Sequence, residues 1–499
     1  MRPKLNVIKL GETYGENEIQ HLDDFKDFYY DINSSKEKIL NPKKFVVIGR
    51  KGTGKTLFAN VVCATYKKEN KVSAVESLKE FVFHELRHFN GVDVSPTKYV
   101  PIFEWMIYIN LSKNIVSNES YFNPSRVDVL NRFLQYFGHV SGDLKIEKTI
   151  EMTKKVHGEK TLGIKLFDFG FGLKQTDEET AKEGIRSYLE NLENLKNFVM
   201  HTLLEANREV IVFYDELDDK FSDTRDFKDG LISFISAIEK VNNLFLKYKI
   251  KSKVCAVIRN DIIKKLVSPN INRVFEDNSL TINWEASNPR ETELFDMLAH
   301  KISMSSNYYK SKDSSLIFKE IMPTHIANES FKIYILHRTL GRPRDIIRML
   351  NFIQDDYGAN LDRFECHTFT NTSKKYSSYL WREIKSELVG HVDDERLDIY
   401  FNFLSSIGKR GFTYELALSK AKNVNPIFEN EATFKGMLEN LFDAGAIANI
   451  YRRGRSEGGD IYYWSYNDED FRINYSFNFE IHPGLWDVLK IPKPKNRFN

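Results

Sequence analysis

Three short apolar runs interrupt a chain of otherwise mixed polarity: Phe45-Val-Val-Ile48, Val210-Ile-Val-Phe-Tyr214 and Val254-Cys-Ala-Val-Ile258, with a fourth candidate at Leu280-Thr-Ile-Asn-Trp284. Runs this short and this continuously apolar suit strands buried on both faces, as in a parallel sheet. Between them the apolar spacing becomes helical. Leu57, Phe58 and Val61 predict a helix reaching about Lys67, and Ile185, Leu189, Leu192, Val199 and Leu203 predict one from about Glu183 to Ala206. Apolar strands separated by helical segments predict an α/β fold, a parallel sheet with helices on both faces.

The rest of the chain divides by pattern. Leu162–Leu173 alternates and is broken by glycines, which predicts a hairpin. From about Asn288 to Asp356 the spacing is helical, and Pro343 suits the first turn of a helix, where its missing N–H costs nothing. The polar stretch His367–Tyr376 reads as a boundary. Beyond about Asp393, helices over Leu397–Ile407, Tyr414–Ala421 and Glu431–Ala444 and strands Ala448–Tyr451 and Ile461–Tyr466 suggest a winged helix. The expected organisation is a leader over 1–40 and a core over 41–287 with a long insert at about 68–205. A helical lid over 288–365, a linker over 366–392 and a winged-helix-like domain over 393–499 complete it.

Composition narrows the classes. The 499 residues carry 72 Lys and Arg against 70 Asp and Glu, a net charge of +2, which excludes a globally basic nucleic-acid-coating protein but not a local basic face. With 41% hydrophobic residues the chain can bury a core, so a disordered class is excluded. Cys63, Cys255 and Cys366 lie far apart without a CxxC pair, which fits a reducing compartment. The N-terminus lacks the apolar stretch of a signal peptide and no run reaches spanning length, so a cytoplasmic protein without a membrane segment is expected.

The chemistry begins at Gly49-Arg-Lys-Gly-Thr-Gly-Lys-Thr56, a full match to G-x-x-x-x-G-K-[ST] between a strand and a helix. Glycines let main-chain N–H groups turn inward as an anion nest at a helix N-terminus. In this pattern Gly49, Arg50, Lys51, Gly52, Thr53 and Gly54 cradle phosphates. Lys55 reaches the β- and γ-phosphates, and Thr56 ligates Mg²⁺. The apolar run at 210–214 ends in Asp215-Glu216; Asp215 is the expected second Mg²⁺ ligand and Glu216 the base that polarises water. Asn260, just past the third strand, is placed to orient the water or the γ-phosphate, with Arg259 its rival. Arg342 and Arg344 flank Pro343 and are expected to bind nucleotide, Arg344 reporting γ-phosphate loss to the lid. Arg273 is a weaker candidate for a finger acting on a neighbouring subunit.

Two further patterns compete for attention. His84-Glu-Leu-Arg-His88 fits H-E-x-x-H, but the next ligand of the longer zinc-protease pattern falls on Val94, so a charged helix is the better reading. In the C-terminal module, Lys409-Arg410 and Arg452-Arg453-Gly454-Arg455 lie near Tyr451, Tyr462, Tyr463 and Trp464, which suits either a nucleic-acid backbone or a protein surface.

On these residues the chain resembles the AAA+/STAND group of P-loop ATPases: Walker A at Gly49–Thr56, Walker B at Val210–Glu216, the sensor 2 G-x-P-R at Gly341-Arg-Pro-Arg344 and sensor 1 near Asn260. It is similar, more narrowly, to bacterial P-loop ATPases found among anti-phage defence genes. The long separation of Lys55 from Asp215 departs from a minimal core. The resemblance implies ATP and Mg²⁺ as cofactors, hydrolysis, a homo-oligomer, and nucleotide state coupled to the winged helix. The competing expectations are a nucleotide-stabilised binding module with little turnover, and a zinc peptidase built on His84, Glu85 and His88.

Overall fold

The computed structural model describes residues 2–21, 25–79, 99–136, 183–217, 223–266, 268–284, 292–453, 459–467 and 471–492. The hairpin expected at 162–173 and the His84–His88 pattern lie outside them. The described residues form two compact units, one of Asn33–Arg50 with Lys55–Ile282, the other of Met1–Ile32, Lys51–Gly54 and Asn283–Asn499.

The first of these units is an α/β unit around a five-stranded parallel sheet. Its strands are β1 (Val46–Gly49), β2 (Val72–Ser77), β3 (Val210–Asp215), β4 (Ser252–Arg259) and β5 (Ser279–Thr281), in the order β2-β3-β4-β1-β5. Every residue of β1 and β3 is buried, as their unbroken apolar runs require. The longer helices of this unit are α1 (Lys55–Lys68), α2 (Val100–Ser117), α3 (Pro124–Tyr136), α4 (Glu183–Ala206), α5 (Arg225–Lys247) and α6 (Pro269–Asn278). Helix α2 is buried on nearly all sides and packs against α3, α4 and α5. A helix enclosed in this way carries apolar residues around its circumference, here interrupted by Glu104, Asn110 and Asn114.

Two sequence expectations change here. Strand β2 falls inside the stretch read as an insert and pairs in register with β3, Ser77 beside Asp215. The sheet therefore has a fifth strand and the insert is shorter than 68–205. The fourth candidate strand shrinks to Ser279–Thr281; Ile282 N–H still donates to Ile48 O at 2.7 Å, but Trp284 lies outside the sheet.

The other unit is mainly helical: α7 (Leu294–Ser305), α8 (Ser314–Ile321), α9 (Phe331–Arg338), α10 (Pro343–Tyr357), α11 (Cys366–Leu388), α12 (Asp394–Ile407), α13 (Tyr414–Val424) and α14 (Glu431–Asp443). A two-stranded ribbon joins β6 (His325–Ile326) to β7 (Glu329–Ser330). A four-stranded antiparallel sheet runs β10 (Ile461–Tyr463), β9 (Ile447–Tyr451), β11 (Asn478–Ile481) and β8 (Gly411–Phe412). Strands β8 and β11 add to the two expected beyond residue 393.

The stretch read as a linker is instead most of α11, a helix of 23 residues that buries Phe369, Tyr376, Leu380, Ile384 and Leu388 at helical spacing. Its Ser/Thr run does not break the helix because the hydroxyls bond back to the preceding turn, Thr372 Oγ1 to Thr368 O at 2.8 Å and Ser373 Oγ to Thr370 O at 2.7 Å. The leader is likewise structural over its first part. Leu5, Ile8 and Leu10 are buried, and Gln354 of α10 donates to Leu5 O and Ile8 O at 2.6 and 2.7 Å. Lys301 and Glu18 form a buried ion pair at 2.7 Å.

Candidate functional site

All five strands of the first sheet point the same way, so Gly49, Asp215 and Arg259 end at one edge. The connection leaving β1 goes toward β2 and that leaving β4 toward β5, on opposite sides, although β1 and β4 are neighbours. Neighbouring strands whose connections leave in opposite directions mark the usual place for a ligand in an open α/β sheet. Strands β1 and β3 are two positions apart in the sheet, which sets their ends on the order of 10 Å from each other.

The loop leaving β1 owes its path to two glycines. Gly52 and Gly54 have φ of +82° and +94°, values that favour glycine. Lys55 then opens α1, and its Nζ donates back to Arg50 O at 3.0 Å. Thr56, the next helical residue, accepts through its carbonyl from Asn60 Nδ2 at 2.9 Å. At the end of β3, Asp215 is buried and its Oδ1 accepts the N–H of Glu216 at 2.8 Å. Glu216 has φ of +59°, an uncommon conformation for a residue with a side chain, and its Oε2 accepts from the Ser77 hydroxyl. At the end of β4, Arg259 makes a two-pronged ion pair with Asp261 at 3.0 and 2.6 Å, and Asn260, partly exposed, starts a one-turn helix. Arg273, the finger candidate, is exposed and pairs with Glu239 at 2.8 Å.

Residues 51–54 belong by their contacts to the helical unit, whose α10 and α11 supply neighbours to Lys51 and Gly52. Arg342 is wholly buried. Its Nε and Nη2 hold Asp345 at 2.8 and 2.9 Å, and its Nη1 serves both Glu387 and, at 3.0 Å, Lys51 O. This residue, expected to bind nucleotide with its guanidinium, reaches the loop through a main-chain carbonyl, with all three nitrogens engaged. Burial lowers its pKa less than the neighbouring Asp345 and Glu387 carboxylates raise it, so the guanidinium is more firmly charged than usual. Arg344 lies on the loop itself: a Cβ at Gly52 would stand 3.2 Å from its Cβ and Cδ. Its Nη1 donates to Glu383 at 3.1 Å and its guanidinium stands 4.9 Å over the Tyr14 ring. Lys51 Nζ donates to Ser386 Oγ at 2.5 Å, and Trp284 Nε1 to Thr53 O at 2.9 Å.

Sequence reasoning missed Ser77, Trp284, Glu383, Ser386 and Glu387. The one available signal was the i,i+4 spacing of Glu383 and Glu387, which puts two carboxylates on one helical face opposite the two arginines. In the C-terminal module two of the basic residues singled out are engaged, and Gly454 and Arg455 lie outside the described residues. Arg452 pairs with Asp460, and Arg410 donates to Pro492 O and stacks at 4.5 Å over Trp486. Lys409 and Arg453 are exposed, as are Tyr451 and Tyr462. Among the described residues no cluster of three or more His, Cys, Asp or Glu is placed to hold a metal, and no helix is long and apolar enough to cross a membrane.

Residues 292–385, which run from just before α7 into α11, match a family described as a FunZ-associated C-terminal helical domain. No curated protein matches the chain.

Proposed function

We propose that the chain is an ATP-hydrolysing switch of the AAA+/STAND type, working at the edge where β1, β3 and β4 end. The observation that carries the reading is the sequence Gly49–Thr56 in its structural setting. It leaves a buried strand, takes the positive φ of Gly52 and Gly54, and runs into the N-terminus of a 14-residue helix. The loop is also open at Gly54, where a Cβ would meet nothing within 4 Å, which leaves room for a ligand beside it. The sheet order, with one strand between the loop strand and the Asp215-Glu216 strand, supports the same reading.

In this reading Lys55, released from Arg50 O, and the loop amides bind the phosphates, while Thr56 and Asp215 hold Mg²⁺. The bound magnesium nucleotide supplies the scissile phosphoanhydride and neutralises its charge. Glu216 accepts the proton of the attacking water, Asn260 orients that water, and Arg344 senses the γ-phosphate and passes its loss to α10 and α11. Arg342 holds the loop rather than the phosphate. The C-terminal module, with its three helices and β-wing, is proposed as a winged helix that delivers the output. Residues 393–499 carry 14 Lys and Arg against 16 Asp and Glu, which favours a protein partner over nucleic acid. Homo-oligomer formation and a role in anti-phage defence belong to the same proposal, on the resemblance alone.

The test is the hydrolysis rate of Mg·ATP with and without duplex DNA, single-stranded DNA and RNA, with nucleotide binding followed separately. Lys55→Ala is expected to lose binding and Glu216→Gln to bind without turnover. Wild-type turnover in Glu216→Gln overturns the assigned mechanism. A second reading, a nucleotide-stabilised module with little turnover, is favoured by the engagement of Glu216 with Ser77 and of Arg344 with Glu383; negligible hydrolysis under every condition selects it.

A further inference from the structure

A phosphate-binding loop works only if its N–H groups face one way, and a planar trans peptide sets each C=O antiparallel to the following N–H. Fixing a carbonyl therefore fixes the next amide. In this loop three carbonyls are each held by a side-chain donor: Arg50 O by Lys55 Nζ at 3.0 Å, Lys51 O by Arg342 Nη1 at 3.0 Å, and Thr53 O by Trp284 Nε1 at 2.9 Å. The amides that follow are those of Lys51, Gly52 and Gly54. Two of them belong to glycines, whose peptide planes would otherwise turn most freely.

The donors differ in what they can do later. Lys55 is expected to leave its carbonyl when phosphate arrives. Arg342 is locked by two carboxylates. Trp284 has a single donor, it is buried, and it is held from both sides. Thr292 Oγ1 donates to its carbonyl at 2.6 Å, and the Tyr30 ring lies 6.2 Å away with its hydroxyl on Glu293 at 2.9 Å. An indole N–H donates only, so its burial against Thr53 O is its satisfied state.

We propose that Trp284 is a positioning residue for the nucleotide site: its indole N–H holds the Thr53–Gly54 peptide plane in the phosphate-binding orientation before nucleotide arrives. The proposal rests on the reading of the site as nucleotide-binding and adds to it a residue that touches neither phosphate nor metal. Such preorganisation appears as affinity and leaves the chemical step alone, because the loop conformation is the same once nucleotide is bound.

The experiment uses the full chain labelled with 5-fluorotryptophan, in wild type and in Trp284→Phe, which keeps an aromatic ring and removes the donor. Five fluorine resonances are expected from the five tryptophans, and the one missing in Trp284→Phe belongs to Trp284. Titration with Mg·ADP is expected to shift that resonance. Calorimetry is expected to give Trp284→Phe a Kd for ADP raised roughly fivefold to tenfold, with kcat at saturating ATP changed less than about twofold. An equal loss of kcat, a Kd within twofold of wild type, or a Trp284 resonance unmoved at saturating nucleotide overturns the positioning role. Should Trp284→Phe fail to fold, the wild-type resonance, assigned instead from Trp284→Tyr, decides alone. A wild-type chain that binds no nucleotide overturns the site reading itself, a different result from wild-type binding that the variant matches.

Discussion

The hydroxyl of Ser77, the last residue of β2, donates to Oε2 of Glu216, the residue that follows β3. The pairing of β2 with β3 sets Ser77 beside Asp215, so the bond spans neighbouring strand ends. The bond occupies a carboxylate oxygen that a general base would need for its proton. If Glu216 is the base, Ser77→Ala raises basal kcat by about fivefold, the worth of one ordinary hydrogen bond, and leaves nucleotide affinity unchanged. Steady-state hydrolysis with Glu216→Gln as the zero checks it; a fall in kcat would mean that Ser77 aims the carboxylate and does not restrain it.

Gly52 and Gly54 separate backbone strain from crowding. Both have positive φ, so alanine at either costs about 1–2 kcal/mol in the backbone. At Gly52 the new Cβ also meets Arg344 at 3.2 Å, whereas at Gly54 it meets nothing. Gly52→Ala is therefore expected to lower the denaturation midpoint more than Gly54→Ala. Adding Arg344→Ala should recover part of the loss at 52 and none at 54, a non-additivity that a double-mutant cycle reads directly.

Arg342 is the buried cation that Asp345 and Glu387 require. Arg342→Met leaves those carboxylates without their partner and is expected to cost about 3–5 kcal/mol in chemical denaturation. Arg342→Lys should recover little, because one ammonium cannot hold both oxygens of Asp345 while donating to Lys51 O.

His482 gives the fold a pH dependence. It is fully buried, accepts the Gly484 N–H through Nδ1 at 3.0 Å and lies 3.1 Å from the Tyr466 hydroxyl, and burial pushes its pKa down to about 3. Below its ordinary value near 6.5 the unfolded chain takes up a proton that the folded chain refuses, so stability falls as pH drops through 6.5 toward 3. Between pH 7 and pH 5 the loss from this group is about 2 kcal/mol. His482→Gln should flatten that part of the profile, followed by urea midpoints at several pH values.

How much was legible varied with how local the cause was. The apolar runs of β1, β3 and β4 announced themselves, because a strand buried on both faces has no polar position to hide the pattern. Strand β2, at the sheet edge, mixes Val72 and Val75 with Glu76 and Ser77 and did not. Helix α11 was hidden by its Ser/Thr run, whose hydroxyls are satisfied within the helix and so cost it little.

The order of glycines, lysine and threonine in Gly49–Thr56 was set by the chain itself, since positive φ at Gly52 and Gly54 and a helix start at Lys55 are local requirements. Which groups hold that loop was decided only by tertiary structure. Trp284 comes to Thr53 across 231 positions and Arg342 to Lys51 across 291, and no local propensity encodes such a meeting. The physical reason is that a hydrogen bond reads distance in space, while a motif reads distance along the chain.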